Sequence, residues 1–188
     1  MKTPRNSQEA EQMGLLYVSA ALDTILRIRT NEIRPNWGNA LKGLRVLDIG
    51  AGTALDEKYR IPWFSRICAS LGAKVVVIDL KPQPEIDQEL FFLTIVADIV
   101  GPVRTFRFAE ILPEESRTFD IIYSSKLVAP DPDPGLQLTL TNQCISLEDF
   151  IVWLEKQAMD LLADGGVMHL GMTDRPDAGI VTKREQTK

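Results

Sequence analysis

The chain has 188 residues, 45% of them hydrophobic and 25% charged, which suits one globular domain and excludes wholesale disorder, collagen-like repeats and two full-sized domains. A formal charge of -5 without any dense run of Lys and Arg argues against a surface for duplex nucleic acid. Cys68 and Cys144 are the two cysteines and form no CxxC pair, so neither a disulfide framework nor a thiolate zinc site is expected and both read as buried free thiols.

In chain order, the first thirteen residues are polar and include Glu9 and Glu11, and the apolar stretch from Leu15 to Ile28 is broken by Asp23 and Arg27. Neither a signal peptide nor a membrane span has that pattern, and a cytoplasmic location is expected. Leu15, Leu16, Val18, Leu22, Ile25 and Leu26 recur at spacings of three and four, which predicts an amphipathic helix within Ser7–Thr30. Residues 1–43 form this amino-terminal helical segment. Pro35, Asn36 and Gly38 end it, and Leu44 to Gly50 reads as the first strand. A helix opening at Pro62 carries Trp63, Phe64, Ile67, Cys68 and Leu71 and closes at Gly72.

Lys74 to Leu80 reads as the second strand and Phe91 to Asp98 as the third, the latter apolar on both alternating sides as a strand covered on both faces would be. A short charged surface element from Glu110 to Arg117 separates it from a fourth strand, Phe119 to Ser124. Pro130, Pro132, Pro134 and Gly135 predict a loop with no regular helix. Ser146 with Asp149 resembles a capping box ahead of a helix bearing Phe150, Ile151, Trp153, Leu154, Ala158, Leu161 and Leu162. Gly165-Gly166 ends that helix, Val167 to Gly171 forms a last strand, and the core is assigned to 44–171. Residues 172–188 read as a flexible polar tail. With no strand after it, Val167–Gly171 would be a sheet edge, which calls for a homodimer or a partner protein there, or for the amino-terminal helix or proline loop as cover.

Strands alternating with helices imply a single α/β domain with a doubly wound, mostly parallel sheet. In such sheets ligands bind beyond the carboxyl ends of the strands, after Ile49, Ile78, Ala97 and Tyr123. The first of these places holds Asp48-Ile49-Gly50-Ala51-Gly52, where two glycines admit a tight turn and close approach of a ligand. The second and third hold Asp79 and Asp98. Carboxylates closing successive apolar strands need hydrogen-bond donors, and a donor-rich ligand is their natural counterpart.

These segments resemble the class I S-adenosylmethionine-dependent methyltransferases over about Leu44 to Gly171. Val46-Leu47-Asp48-Ile49-Gly50-Ala51-Gly52 is similar to the family's first motif, whose loop passes under the methionine part of the cofactor. The resemblance implies that Asp79, with Leu80 after it, binds the ribose and that Asp98, with Ile99, holds the adenine. Phe119 to Ser125 looks like the fourth-strand motif beside the reacting methyl group, and Leu161 to Gly166 like the turn before strand five. It implies cofactor contacts at Asp48, Gly50, Ala51, Gly52, Asp79, Leu80, Asp98, Ile99 and Ser124, and an acceptor approach lined by Ser125 and Lys126. The implied activity is methyl transfer from S-adenosylmethionine to a small-molecule acceptor, with no catalytic base assigned.

Three departures stand out: Ala54 replaces a third glycine, the helix after strand one is delayed to Pro62, and only a short tail follows strand five where the family adds an antiparallel hairpin. They keep open a second reading, a catalytically inactive cofactor-binding or protein-interaction module. A nicotinamide oxidoreductase is a distant third, because Leu55 stands where its fingerprint needs Gly or Ala and Asp79 lies beyond its usual spacing of about twenty residues. The single histidine, His169, falls inside a strand and reads as structural. Asp131 and Asp133 alternate with prolines and read as a solvated loop, so no metal site is expected.

Overall fold

The computed structural model describes residues 7–53, 61–103, 105–124, 127, 134–171 and 180–183, with residues 7–11 and 13 by backbone alone. Helix α1 (Ser7–Thr30) and the short α2 (Trp37–Leu41), capped by the Asn36 side chain, precede β1 (Arg45–Ile49). Then come α3 (Trp63–Ser70), β2 (Lys74–Asp79), α4 (Glu85–Leu90) and β3 (Leu93–Val96). A single turn α5 (Phe108–Ile111) and a 3-10 turn at Glu114–Ser116 lead to β4 (Phe119–Ser124). Helices α6 (Pro134–Asn142) and α7 (Leu147–Leu161), then β5 (Leu162–Leu170) and β6 (Ile180–Thr182), complete the elements.

The strands form one sheet in the order β3-β2-β1-β4-β5-β6, parallel except for β6. Side chains alternate across a strand, so β1 sends Leu47 and Ile49 to one apolar layer and Val46 to the other. The first layer is closed by α6 and α7 through Leu136, Leu140, Phe150, Leu154 and Ala158. The second is closed by α1 and α3 through Leu22, Ile25, Leu26, Phe64 and Cys68. The doubly wound α/β architecture is therefore present, and the order of the sheet reverses between β1 and β4.

Several local expectations change. The proline loop gives way at Pro134 to helix α6, because proline lacks only an amide that the first helical turn leaves unpaired in any case. Asn36 and Pro84 open two short helices, α2 and α4, that the apolar spacing did not signal. The third strand is shorter than expected and has none of its four residues fully buried, since it is the sheet edge and lacks a neighbour on one side. Cys144 is exposed rather than buried, at a left-handed φ of 56° after α6. Ser146 does cap α7, accepting from the Asp149 amide at 3.0 Å and donating to its carboxylate at 2.7 Å.

Strand five is not the edge. Val167, Met168 and His169 pair with Thr182, Val181 and Ile180, and a bond from the Gly165 amide to the Lys183 carbonyl extends the pairing. One antiparallel strand thus forms within the segment read as a flexible tail. The premise for a partner docked on Val167–Gly171 goes with it, since the backbone groups that invited pairing are satisfied within the chain.

Candidate functional site

The turn after β1 begins where the Gly50 amide donates to the Ile78 carbonyl at 2.7 Å, extending the β1–β2 ladder by one rung. Gly50 and Gly52 then take φ of 67° and 84°, the left-handed region that side chains resist. A Cβ on Gly50 would stand 2.6 Å from Cγ of Leu127, so the crease above this glycine is filled by a leucine from the segment after β4. Ala51 is buried against the α1 and α3 layer.

Three hydrogen bonds tie this turn to the end of β2 and the segment after it. The Gly52 amide donates to Oδ2 of Asp79 at 2.7 Å, Thr53 Oγ1 donates to the Pro82 carbonyl at 2.9 Å, and Gln83 Nε2 donates to the Gly52 carbonyl at 2.8 Å. Oδ1 of Asp79 also accepts from the Lys81 amide at 3.2 Å. A carboxylate offers about four acceptor positions, so these two bonds leave capacity for a ligand's hydroxyl groups. Gln83 is buried, and its Oε1 has no hydrogen-bond partner among the described residues.

Asp48 turns away from this rim. It is buried on the α3 side of β1, and its Oδ2 accepts from the Ser65 hydroxyl at 2.6 Å. Its negative charge lies near the buried Cys68 thiol; burial first, and Asp48 second, push that thiol well above its ordinary pKa. Asp48 thus joins the start of α3 to β1 beneath the turn.

Asp98 caps its own loop, with Oδ1 accepting from the amides of Val100 at 3.0 Å and Gly101 at 2.7 Å. Ile99 points into the core, whereas Leu80 is exposed. The same loop is held by Gln143, whose Nε2 donates to the Val100 carbonyl at 2.8 Å. At the end of β4, the Ser124 hydroxyl is fully buried and has no partner among the described residues. The register pairs Asp48 with Tyr123, so one residue further along Ser124 stands beside Ile49, next to the glycine turn. Gly50, Gly52, Asp79 and Ser124 therefore gather at the carboxyl ends of β1, β2 and β4, with Asp98 on the β3 side of the same rim. Ser125 and Lys126, the expected acceptor-side pair, lie outside the described residues, as do Ala54, Asp131 and Asp133.

His169 is buried on β5 between β4 and β6, its ring 5.6 Å from that of Tyr123. Among the described residues no three His, Cys, Asp or Glu side chains converge to hold a metal ion, and no described helix is long and apolar enough to cross a membrane. Sequence reasoning missed Gln83, Leu127 and Ser65. Gln83 alone carried a signal, as a polar residue held between Pro82 and Pro84 just after the acid of β2.

No known family profile matches the chain, and no curated protein matches it by sequence. Among solved structures it is similar to a SAM-dependent methyltransferase from Agrobacterium tumefaciens, at 16% identity and TM-score 0.40, covering 74% of this chain and 43% of that one. It is also similar to a loganic acid methyltransferase with SAH, at 11% identity and TM-score 0.44, covering 96% and 60%. A formate dehydrogenase of Granulicella M. matches at 15% identity and TM-score 0.40, covering 87% and 45%. The chain spans between 43% and 60% of the length of these three proteins. The site is therefore described from this chain's own residues.

Proposed function

We propose that the rim formed by Gly50–Thr53, Asp79 and Ser124 binds S-adenosylmethionine and that the protein is a methyltransferase acting on a small-molecule acceptor. The observation that carries this reading is the buried Ser124 hydroxyl beside the glycine turn, without a partner among the described residues and placed where the sheet order reverses. A buried hydroxyl left without a partner costs about 1–3 kcal/mol, and a ligand in the crevice would repay it. Gly50 and Gly52 present bare backbone to that ligand, Asp79 offers its remaining acceptor positions to ribose hydroxyls, and Asp98, on the β3 side of the rim, would take the adenine. Leu127 must leave the Gly50 crease for a ligand to lie there.

When bound, the cofactor supplies an electrophilic methyl group for attack by an acceptor O, N, S or C atom. The chain's part is to hold both reactants in line and to exclude water. The cross-links from Asp79, Pro82 and Gln83 keep the turn in its left-handed geometry before a ligand arrives, which lowers the ordering cost of binding.

Calorimetric titration with S-adenosylmethionine, S-adenosylhomocysteine and the nicotinamide dinucleotides tests the reading on wild type and Ser124→Ala. The sulfur compounds are expected to bind, and Ser124→Ala to weaken them about tenfold while leaving the fold as stable or more so. Binding of the dinucleotides alone would shift the assignment to hydride transfer. One observation favours the non-enzymatic module: the crease over Gly50 is filled by the chain's own Leu127. Failure of every cofactor to bind would overturn the methyltransferase reading, and cofactor binding followed by methyl transfer to candidate acceptors would exclude the module.

A further inference from the structure

We propose a second binding site, for a small anion carried on a flat ring, at the opposite end of the sheet from the glycine turn. The amino ends of β1 and β2 open onto a cavity of about 330 Å³, within the size range of small-molecule sites. It exists because the connection between β3 and β4 offers only the four-residue α5 and a three-residue 3-10 turn among the described residues. Neither is long enough to cover the sheet face there. Val76 and Phe119 form the apolar floor.

Arg45 and Lys74 line this cavity and are register partners on adjacent parallel strands. Their backbones run about 4.8 Å apart, so the two stems leave the same edge of the sheet on the same face. Neither side chain forms an ion pair among the described residues. The Arg45 amide is committed to the Asp120 carboxylate at 2.9 Å, but its guanidinium is not. An anion in the cavity meets two positive groups and gains a forked contact from the guanidinium. Glu115 lies on the rim, which leaves two cations against one carboxylate and so a net positive lining.

The wall beside Lys74 is Phe92, which is 58% exposed. The Lys74 ammonium sits 5.8 Å from the centroid of its ring, close enough for cation–π attraction. An exposed aromatic ring next to two cations that form no ion pair among the described residues suits a planar ring bearing a carboxylate or phosphate, the ring against Phe92 and the anionic group at Arg45 and Lys74. Bare inorganic anions would use only half of this lining.

The test is a titration of the full chain with phenyl phosphate, benzoate and inorganic phosphate, followed by amide NMR. Saturable shifts centred on Lys74, Phe92 and Ser116 are expected with an aryl anion, and the tighter of the two identifies the preferred anionic group. Inorganic phosphate should bind about tenfold more weakly for want of the ring contact. Arg45→Met and Lys74→Met keep the stems and the Arg45 amide bond, so both should fold, and each should weaken binding about tenfold. Ser124→Ala should leave it unchanged, which separates this site from the one at the glycine turn. The proposal is overturned if neither aryl anion gives saturable shifts, if the shifts centre on Gly50–Thr53, or if both Met variants bind as wild type does.

Discussion

The amide of Gly52 and the carboxylate of Asp79 meet at 2.7 Å, joining the turn after β1 to the end of β2 across the rim of the sheet. The acid expected to serve a ligand therefore also holds the loop that would lie beneath it. Asp79→Ala is expected to lower stability by about 1 kcal/mol, the net value of a partly exposed hydrogen bond. The same variant should weaken S-adenosylhomocysteine by about 1.5–3 kcal/mol, since bonds to a charged group are lost. Asp79→Asn keeps an acceptor for Gly52 and should retain most of the stability while still losing affinity. Urea denaturation read beside calorimetry separates the two roles, and unchanged affinity in both variants would assign Asp79 to the loop alone.

Gly50 combines a left-handed φ with a crease filled by Leu127. Gly50→Ala should cost about 1–2 kcal/mol from backbone strain, with a further steric part where the new Cβ meets Leu127. Leu127→Ala in the Gly50→Ala background removes the second part and leaves the first. A double-mutant cycle in thermal denaturation is expected to show that coupling; strictly additive effects would mean that the two side chains do not meet in solution.

Burial raises the Cys68 thiol well above its ordinary pKa, and the Asp48 charge adds to the shift. The folded chain therefore keeps a proton at Cys68 that the unfolded chain releases above about pH 8.5. The stability tied to this thiol is complete below that pH and falls as pH rises towards the folded pKa, by about 1.4 kcal/mol per pH unit. Cys68→Ala is less stable at neutral pH because of the cavity it leaves, but should lack this alkaline slope. Urea midpoints from pH 7 to pH 10 for both proteins check the difference, and parallel slopes would contradict it.

Arg66 and Asp87 form a two-pronged ion pair at 2.7 and 2.8 Å between α3 and α4. The Asp87 side chain is 2% exposed and that of Arg66 25%, so the two halves are not equivalent. Arg66→Met strands a buried carboxylate and should cost about 3 kcal/mol. Asp87→Asn leaves a guanidinium that can turn to water and should cost about 1 kcal/mol. Thermal denaturation of the two variants gives the ratio, and equal losses would show that Asp87 reaches water when its partner is removed.

How much of this was legible in the sequence depended on the range of the interaction. Residues 75–78 and 121–123 declared themselves as strands because covering both faces of a parallel sheet demands unbroken apolar runs, and Val46, Leu47 and Ile49 marked β1 despite Asp48 because glycines follow directly. The Ser146 cap and the left-handed turn at Gly50 and Gly52 were visible for a similar reason, since each is specified by residues within four positions of one another. Asp79 was also placed at the right end of the right strand.

What tertiary structure alone decided were pairings between distant segments. Ile180–Thr182 is a short β-branched run inside an otherwise polar tail, and it becomes a strand only when His169 and its neighbours supply the backbone partners, because three residues cannot hold a strand without a sheet to join. Gln83 and Leu127 acquire their places only when β2 and β4 flank β1, and Asp48 faces Ser65 rather than the rim because the alternation of β1 turns it towards α3. Arg45 and Lys74 are 29 positions apart in the sequence and become neighbours through strand register alone. Local geometry is set by a few covalently near residues and can be read from their order, whereas register and layer contacts are fixed by the packing of the whole chain and appear only once it has folded.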